Sequence, residues 1–359
     1  MLKKAVILND TSFEDHHGCE LVMENIHRLL KNNNIQVIAT NPTNVDWFNN
    51  KHFVKKISKA DIVIVNGEGT LHHAQPRAKN LITIGKYVKE NFRIPVVLIN
   101  TTYQDNGDDF AEYLKYFDLI YVRDKLSQIE LSRYNISSKV VPDLTYYSTY
   151  NQNKENSKNR IGVTDSVNTK LSEKLYNFST QNALYSYIPV LTNSQVRTDL
   201  QSIIKYCKFY TKKIIIFLLF RLGRKLSHRS IRTLFYIDNY KEYIREISGF
   251  KLIITGRYHA LCFAIQTLTP FLIIKSNYHK YEGMLNDIGI GNGRIVDDVS
   301  VNYANYCIFE EHEIKMIEKF LEKSPKEIEK MFRDIVHIMQ PELYVKNKKQ
   351  LYFNNMHIV

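Results

Sequence analysis

Residues 252–280 read LIITGRYHALCFAIQTLTPFLIIKSNYHK. An apolar run stops at Thr255-Gly256-Arg257-Tyr258-His259. A helix-length segment follows, and a second apolar run stops at Lys275-Ser276-Asn277-Tyr278-His279-Lys280. Strand, helix, strand in that order predicts two parallel strands joined by a crossover. In open parallel sheets, ligands sit beyond the carboxyl ends of the strands, against helix N-termini. Gly256 permits a tight turn or a close backbone approach. Arg257 and His259 then stand at the start of a helix. An anion there meets free backbone N–H groups, a guanidinium and an imidazole. The pattern predicts one anionic pocket built from Gly256, Arg257, His259, Lys275, Ser276, Asn277 and Lys280.

The same alternation runs through the first half of the chain. Strands are expected at 3–10, 35–42, 61–70, 94–103 and 119–124, with 139–147 closing the series. Helical spacing appears at 18–33, 78–92, 108–118 and 125–135. Strand–helix alternation with short loops predicts an α/β fold with a parallel sheet covered on both faces. Residues 150–159, YNQNKENSKN, are polar and mark a linker. A second strand–helix series starts at 160, and two C-terminal helices are expected near 309–323 and 325–339. The expected domains are 1–150, 151–320, and C-terminal helices with a tail over 321–359. No internal repeat appears.

Composition narrows the class. A chain of 359 residues with 44% hydrophobic and 24% charged residues is a folded, water-soluble type. Cys19, Cys207, Cys262 and Cys307 are far apart, without a CxxC pair, so neither a disulfide framework nor a structural zinc is expected. The N-terminus, MLKKAVILND, is too short in its apolar part for a signal peptide, and a cytoplasmic location is expected. The net charge of +12 is local. The span between Asp199 and Asp238 has no acidic residue and holds nine cations, which leaves +3 for everything else.

Several motifs together resemble one family. TGRYHAL followed by AIQTLTPFLIIKSNYHKYEGML is similar to the C-terminal signature of the polysaccharide pyruvyl transferase superfamily. VNGEGTLHH (65–73) resembles its glycine loop, LIYVRDKLSQIEL (119–131) its Val-Arg-Asp segment, and VVPDLTYY (140–147) its Pro-Asp strand end. The resemblance spans roughly residues 1–290. It implies two Rossmann-like domains in a GT-B-type arrangement with an interdomain cleft. It also implies transfer of a pyruvyl group from phosphoenolpyruvate to a glycan sugar, without a cofactor. Arg257 and His259 would grip the donor phosphate or carboxylate. A protonated His259 would help the phosphate leave. The family loop Gly-x-x-Asn-x-Gly-Asp departs here to NDTSFEDHHGCELV (9–22), where Gly18 is flanked by His17 and Cys19. A glycosyltransferase on the same fold, with a CMP-nonulosonate or other nucleotide-sugar donor, is the alternative.

Either transfer needs a base for the acceptor hydroxyl. Asp10, Asp15, His16 and His17 are candidates in the N-terminal loop, with Asp15 and His17 favoured. The alternative for this loop is helix capping. Glu68, between Gly67 and Gly69, is a base or acceptor contact, or a turn residue. Asn100, Thr101 and Thr102 are expected to line the cleft. Arg123-Asp124 is expected to be an ion pair, and Asp143 to organise a hinge. His16, His17, His72 and His73 lack metal-ligand spacing, so no metal is expected. In the basic segment the apolar run 214–220 is too short to span a bilayer. It reads either as a core element or as an interfacial contact with anionic membrane through 205–232. Expected partners are a glycan or lipid-linked oligosaccharide acceptor, reached from the inner face of the plasma membrane. No nucleic-acid motif is present.

Overall fold

A computed structural model describes residues 2–148, 150, 158–191, 200–224 and 226–340. The chain divides into two compact units. The first comprises Met1–Asp10, Glu24–Leu144 and Lys323–Val359. The second comprises Thr11–Met23 and Thr145–Glu322. Most of the expected linker at 150–159, and the tail beyond residue 340, lie outside the described residues.

The first unit holds strands β1 (Lys3–Asp10), β2 (Ile35–Pro42), β3 (Ile62–Glu68), β4 (Val96–Thr101), β5 (Leu119–Val122) and β6 (Lys139–Val140). They form one sheet in the order β2-β1-β3-β4-β5-β6, parallel at every pairing. IVIVNGE and VVLINT are buried along their whole length, as strands covered on both faces must be. β-branched residues suit that pleated, enclosed surface. The covering helices include α1 (His17–Asn32, of which Glu24 onward belongs to this unit), α2 (Lys51–Ile57), α3 (Pro76–Asn91), α4 (Asp108–Leu114) and α5 (Lys125–Arg133). Local chemistry sets their starts. Asn50 accepts the Phe53 N–H to cap α2, and Pro76 opens α3 where its missing N–H costs nothing.

The second unit holds β7 (Lys158–Ser166), β8 (Tyr185–Tyr187), β9 (Phe250–Gly256), β10 (Phe271–Ile274) and β11 (Ile295–Val296), in the order β11-β10-β9-β7-β8, again all parallel. Its helices include α6 (Thr169–Ser179), α7 (Leu200–Arg221), α8 (His228–Arg232), α9 (Tyr240–Ser248), α10 (Tyr258–Gln266) and α11 (Lys280–Ile288). Every residue of α10 is buried. This crossover joins β9 to β10, as residues 252–280 predict.

One expectation is corrected, and one open alternative is narrowed. The two C-terminal helices are one, α12 (Glu311–Ile338), with Pro325 inside. A proline removes one backbone hydrogen bond and strains the preceding turn, at about 3 kcal/mol. Burial offsets this: Ile317 before it, and Ile328, Met331, Phe332 and Ile335 after it, are fully or almost fully buried. In the first unit, Asp334 of α12 accepts hydrogen bonds from Tyr121 at 2.9 Å and Lys139 at 2.7 Å. The apolar run 214–220 is not a core element. It lies in α7, and only Ile216 of the run is buried.

Candidate active site

The strand ends read from residues 252–280 lie at the carboxyl edge of the second unit's sheet. Ser166 of β7 pairs with Gly256 of β9, so the two carboxyl ends lie side by side. Gly256 is needed for that approach: a Cβ there would sit 2.8 Å from the Ser166 Cβ. The Thr164 and Thr255 hydroxyls bond across the pair at 2.7 Å, and Thr255 Oγ1 also accepts the Arg257 N–H at 2.9 Å. Arg257 is thereby held extended as the N-cap of α10, and its side chain takes none of the first-turn N–H groups.

The Arg257 side chain turns to Asp165. Its Nη2 donates to Asp165 Oδ2 at 2.5 Å, and Arg232 Nη1 lies 3.4 Å from the same oxygen. Asp165 is fully buried and its Oδ1 accepts the Val190 N–H at 3.0 Å. Burial alone would raise the Asp165 pKa, but the Arg257 charge and hydrogen bond, with Arg232, hold it below the usual carboxylate value. Burial would lower the Arg257 pKa, and Asp165 more than offsets it. Arg257 Nε, Arg232 Nε and the Tyr281 hydroxyl are buried polar atoms with no hydrogen-bond partner among the described residues. Unpaired buried donors are costly, and an anionic ligand would satisfy them.

Lys280 adds a third cation. It opens α11, is only 4% exposed, and donates to the Tyr278 hydroxyl at 3.1 Å. Its ammonium lies 4.4 Å from the Tyr278 ring centre and 4.9 Å from that of Tyr281. Tyr281 in turn stacks on Tyr258 and feels the Arg257 charge. No carboxylate pairs with Lys280 among the described residues. A buried ammonium is normally paired or binds an anion. Lys275 and Asn277 are exposed, and Ser276 Oγ donates to the Tyr278 carbonyl, which shapes the turn.

The N-terminal loop completes this site, because Thr11–Met23 belongs to the second unit. Gly18 lies flat against His259: a Cβ there would fall 2.0 Å from His259 Cγ. The His16 ring meets the His259 ring edge-on at 5.1 Å. His16 Nδ1 accepts the Gly18 N–H at 3.2 Å, which places the proton of a neutral His16 on Nε2. Burial, then the neighbouring His259 and Arg257, push the His16 pKa well below its ordinary value. His17 is fully buried and stacks on Tyr243 at 4.4 Å. Burial lowers its pKa to about 3, with the Leu191 backbone and Asp165 pulling the other way. Asp15 is half-buried with a left-handed φ of 44°. His16, Cys19 and His259 also bring ligand atoms within 4.8 Å of one another, a set that could take an ion such as zinc.

Glu68 lies in the first unit and belongs to another constellation. Asn9, Glu68 and Asn100, at the carboxyl ends of neighbouring strands, all have left-handed φ values, of 66°, 41° and 56°. Asn66 donates to Glu68 Oε1 at 3.1 Å, and Asn9 to the Asn66 carbonyl at 2.6 Å. Asn100 Oδ1 accepts the Leu144 N–H. The expected Arg123–Asp124 pair is not formed. Arg123 pairs with Asp143 at 2.9 Å, both nearly fully buried, and also donates to Thr102. Asp124 instead caps α5, accepting from the Ser127 N–H and hydroxyl. Asp143 is therefore an ion-pair partner within the first unit. His72 and His73 contact each other there.

Sequence reasoning missed Asp165, Arg232 and Tyr281. The signal for Asp165 was present: RIGVTDS ends a strand with a carboxylate, as IITGR ends its neighbour with a guanidinium.

Two all-parallel sheets with helices between their strands define an α/β protein with two Rossmann-like domains of the GT-B class. A model of the polysaccharide pyruvyl transferase family matches residues 16–278, more than half of the chain, and the protein belongs to that family. It is thus a polysaccharide-modifying transferase. Among solved structures, it is similar to the UDP-GlcNAc 2-epimerase of Methanocaldococcus jannaschii, with 14% identity and a TM-score of 0.51, over 94% of this chain and 100% of that one. A functionally uncharacterised Klebsiella pneumoniae protein aligns at 11% identity and a TM-score of 0.44, over 82% of this chain and 93% of that one. An alpha-glucosyltransferase solved with UDP-glucose and DNA aligns at 10% identity and a TM-score of 0.43, over 92% and 93%. At these identities the likeness concerns the fold. A search of curated proteins returns no match.

Proposed function

We propose that the protein transfers the pyruvyl group of phosphoenolpyruvate to two hydroxyls of a sugar, in a bacterial surface polysaccharide or its lipid-linked precursor. The observation that carries this reading is the surplus of cations at the strand ends: the buried Lys280 and the half-buried Arg257 and Arg232, the last two sharing the buried carboxylate of Asp165. Phosphoenolpyruvate brings a carboxylate and a phosphate, and so matches that surplus. One acceptor hydroxyl adds to C2 of the donor while C3 takes a proton and becomes a methyl group. The second hydroxyl adds as the C2–O bond to phosphate breaks. The two hydroxyl protons balance the one gained at C3 and the one carried off by phosphate. His259 is the proton donor to the leaving oxygen, and Asp15 the base for the acceptor hydroxyl. His17, enclosed beneath Tyr243, positions that loop. Glu68, which accepts a hydrogen bond from Asn66 in the first unit, is assigned no step. The first unit, with its buried strand-end amides, serves the neutral acceptor. No cofactor is required, and the location is cytoplasmic, at the inner face of the membrane.

The test is a donor screen by calorimetry and phosphate release, with phosphoenolpyruvate against CMP, UDP and GDP conjugates, on wild type and Arg257→Ala. Binding of phosphoenolpyruvate that is lost in the variant is expected. Binding of a CMP conjugate, with phosphoenolpyruvate silent, would make the protein a nucleotide-sugar glycosyltransferase instead.

A further inference from the structure

The geometry points to α7 as a docking face for an anionic lipid bilayer, lying in the membrane interface rather than crossing it. One stretch of the helix surface meets its own unit, although Phe217 and Phe220 on that side are 51% and 45% exposed. The Tyr236 hydroxyl donates to that of Tyr210 at 2.5 Å, the Phe209 ring meets Tyr236 edge-on at 5.0 Å, and Lys213 Nζ lies 4.0 Å from the Tyr236 ring centre. Ile216, on the same side, is 5% exposed. The other side faces outward. Ile204, Cys207, Thr211, Ile214, Ile215 and Leu218 follow one another at helical spacing, and the four large apolar ones are between 44% and 60% exposed. Leu222, just past the helix, continues the stripe at 76%. From Ile204 to Leu218 the stripe is roughly 21 Å long.

Its borders choose the occupant. At about 100° per residue, Lys208 and Lys212 flank one edge of the stripe and Arg221 the other. No Asp or Glu lies between residues 200 and 237. An apolar stripe edged by long cations on both sides lets the isoleucines and leucines enter the acyl boundary while the ammonium groups reach anionic headgroups. A two-fold packing of α7 against a second copy would set the same cations against each other, with no carboxylate on the helix to relieve them. No helix among the described residues is long and apolar enough to cross a membrane. The inference deepens the inner-face location proposed above but stands apart from the donor chemistry, because it holds for either donor.

The experiment is co-sedimentation of the full chain with vesicles of phosphatidylcholine, with and without phosphatidylglycerol. A fluorophore on the exposed Cys207, in a Cys307→Ser background, reports insertion by a blue shift. Binding is expected only with phosphatidylglycerol, and it should weaken with salt. Lys208→Gln with Lys212→Gln should cut partitioning roughly thirtyfold. Ile214→Ser with Leu218→Ser should abolish the blue shift, while circular dichroism and phosphoenolpyruvate binding stay unchanged, since these side chains are exposed. Failure to bind anionic vesicles, or binding that ignores both double variants, would overturn the inference. So would a dimer that the serine variants dissociate without affecting vesicle binding.

Discussion

Acidification should loosen the second unit through His17, by an amount that the structure sets. In the folded protein the His17 pKa is about 3, against an ordinary value of 6.5. A histidine whose folded pKa is depressed is protonated first in the unfolded chain. Its stabilising effect is complete above pH 6.5 and declines as the pH falls from there towards 3. At about pH 5 the unfolded ring is almost fully protonated and the folded ring is not, so the linkage costs about 2 kcal/mol relative to neutral pH. For a unit of this size, that is a fall in Tm of roughly 4–8 °C. Calorimetric scans of wild type and His17→Gln at the two pH values isolate this contribution. His16 and His27 shift in the same direction, and both remain in the variant. The glutamine variant should therefore lose about 2 kcal/mol of the acid destabilisation and keep the rest. An equal Tm drop in both proteins would refute the assignment, as would an NMR titration placing the His17 imidazole near 6.5.

Two substitutions probe the site directly. Gly18→Ala places a methyl group where the His259 ring now lies, so the ring must move. Turnover should fall on the order of a hundredfold, with a smaller effect on donor affinity, read as a split between kcat and KM. Asp165→Asn removes the buried carboxylate shared by Arg257 and Arg232, and leaves these half-buried cations uncompensated. A stability loss of about 3–5 kcal/mol is expected, seen as a lowered Tm of the second unit; an unchanged Tm would show that the pair is not the anchor described here.

The fold was legible because its signals are local. Runs such as IVIV and VVLI can be little else than enclosed parallel strands once short helical patterns separate them. Gly256, Arg257 and His259 were legible for the same reason, since a strand end and a helix start are adjacent in sequence. Long-range contacts were not. Nothing near residue 18 announces that its missing side chain makes room for residue 259. Nor does Lys280 reveal that it is buried among tyrosines, because a lysine at a helix start is ordinarily solvated. Asp124 misled because a carboxylate beside an arginine reads as its partner, whereas the cap of α5 claims it and Asp143, much farther along, takes the charge. For α7 the sequence left core and interface both open, because an apolar run does not tell which surface it faces.

The two units carry different chemistries at corresponding edges of their sheets. In the second unit the carboxyl edge is cationic, and Arg257 Nε and Arg232 Nε have no acceptor among the described residues. In the first unit the edge is built from amides: Asn9, Asn66 and Asn100 are at most 4% exposed and linked to one another through side chains and backbone. Left-handed φ values at Asn9, Glu68 and Asn100 each cost free energy for a residue other than glycine, although asparagine tolerates them best. These three positions lie on adjacent strand ends, where the hydrogen bonds described above hold them. Amides offer both donors and acceptors without net charge, which suits hydroxyl groups. An anionic donor and a hydroxyl-rich acceptor make those two opposite demands. A protein that bound two anionic ligands would instead need cations at both edges, and the first sheet edge, with Glu68 among its amides, would repel the second.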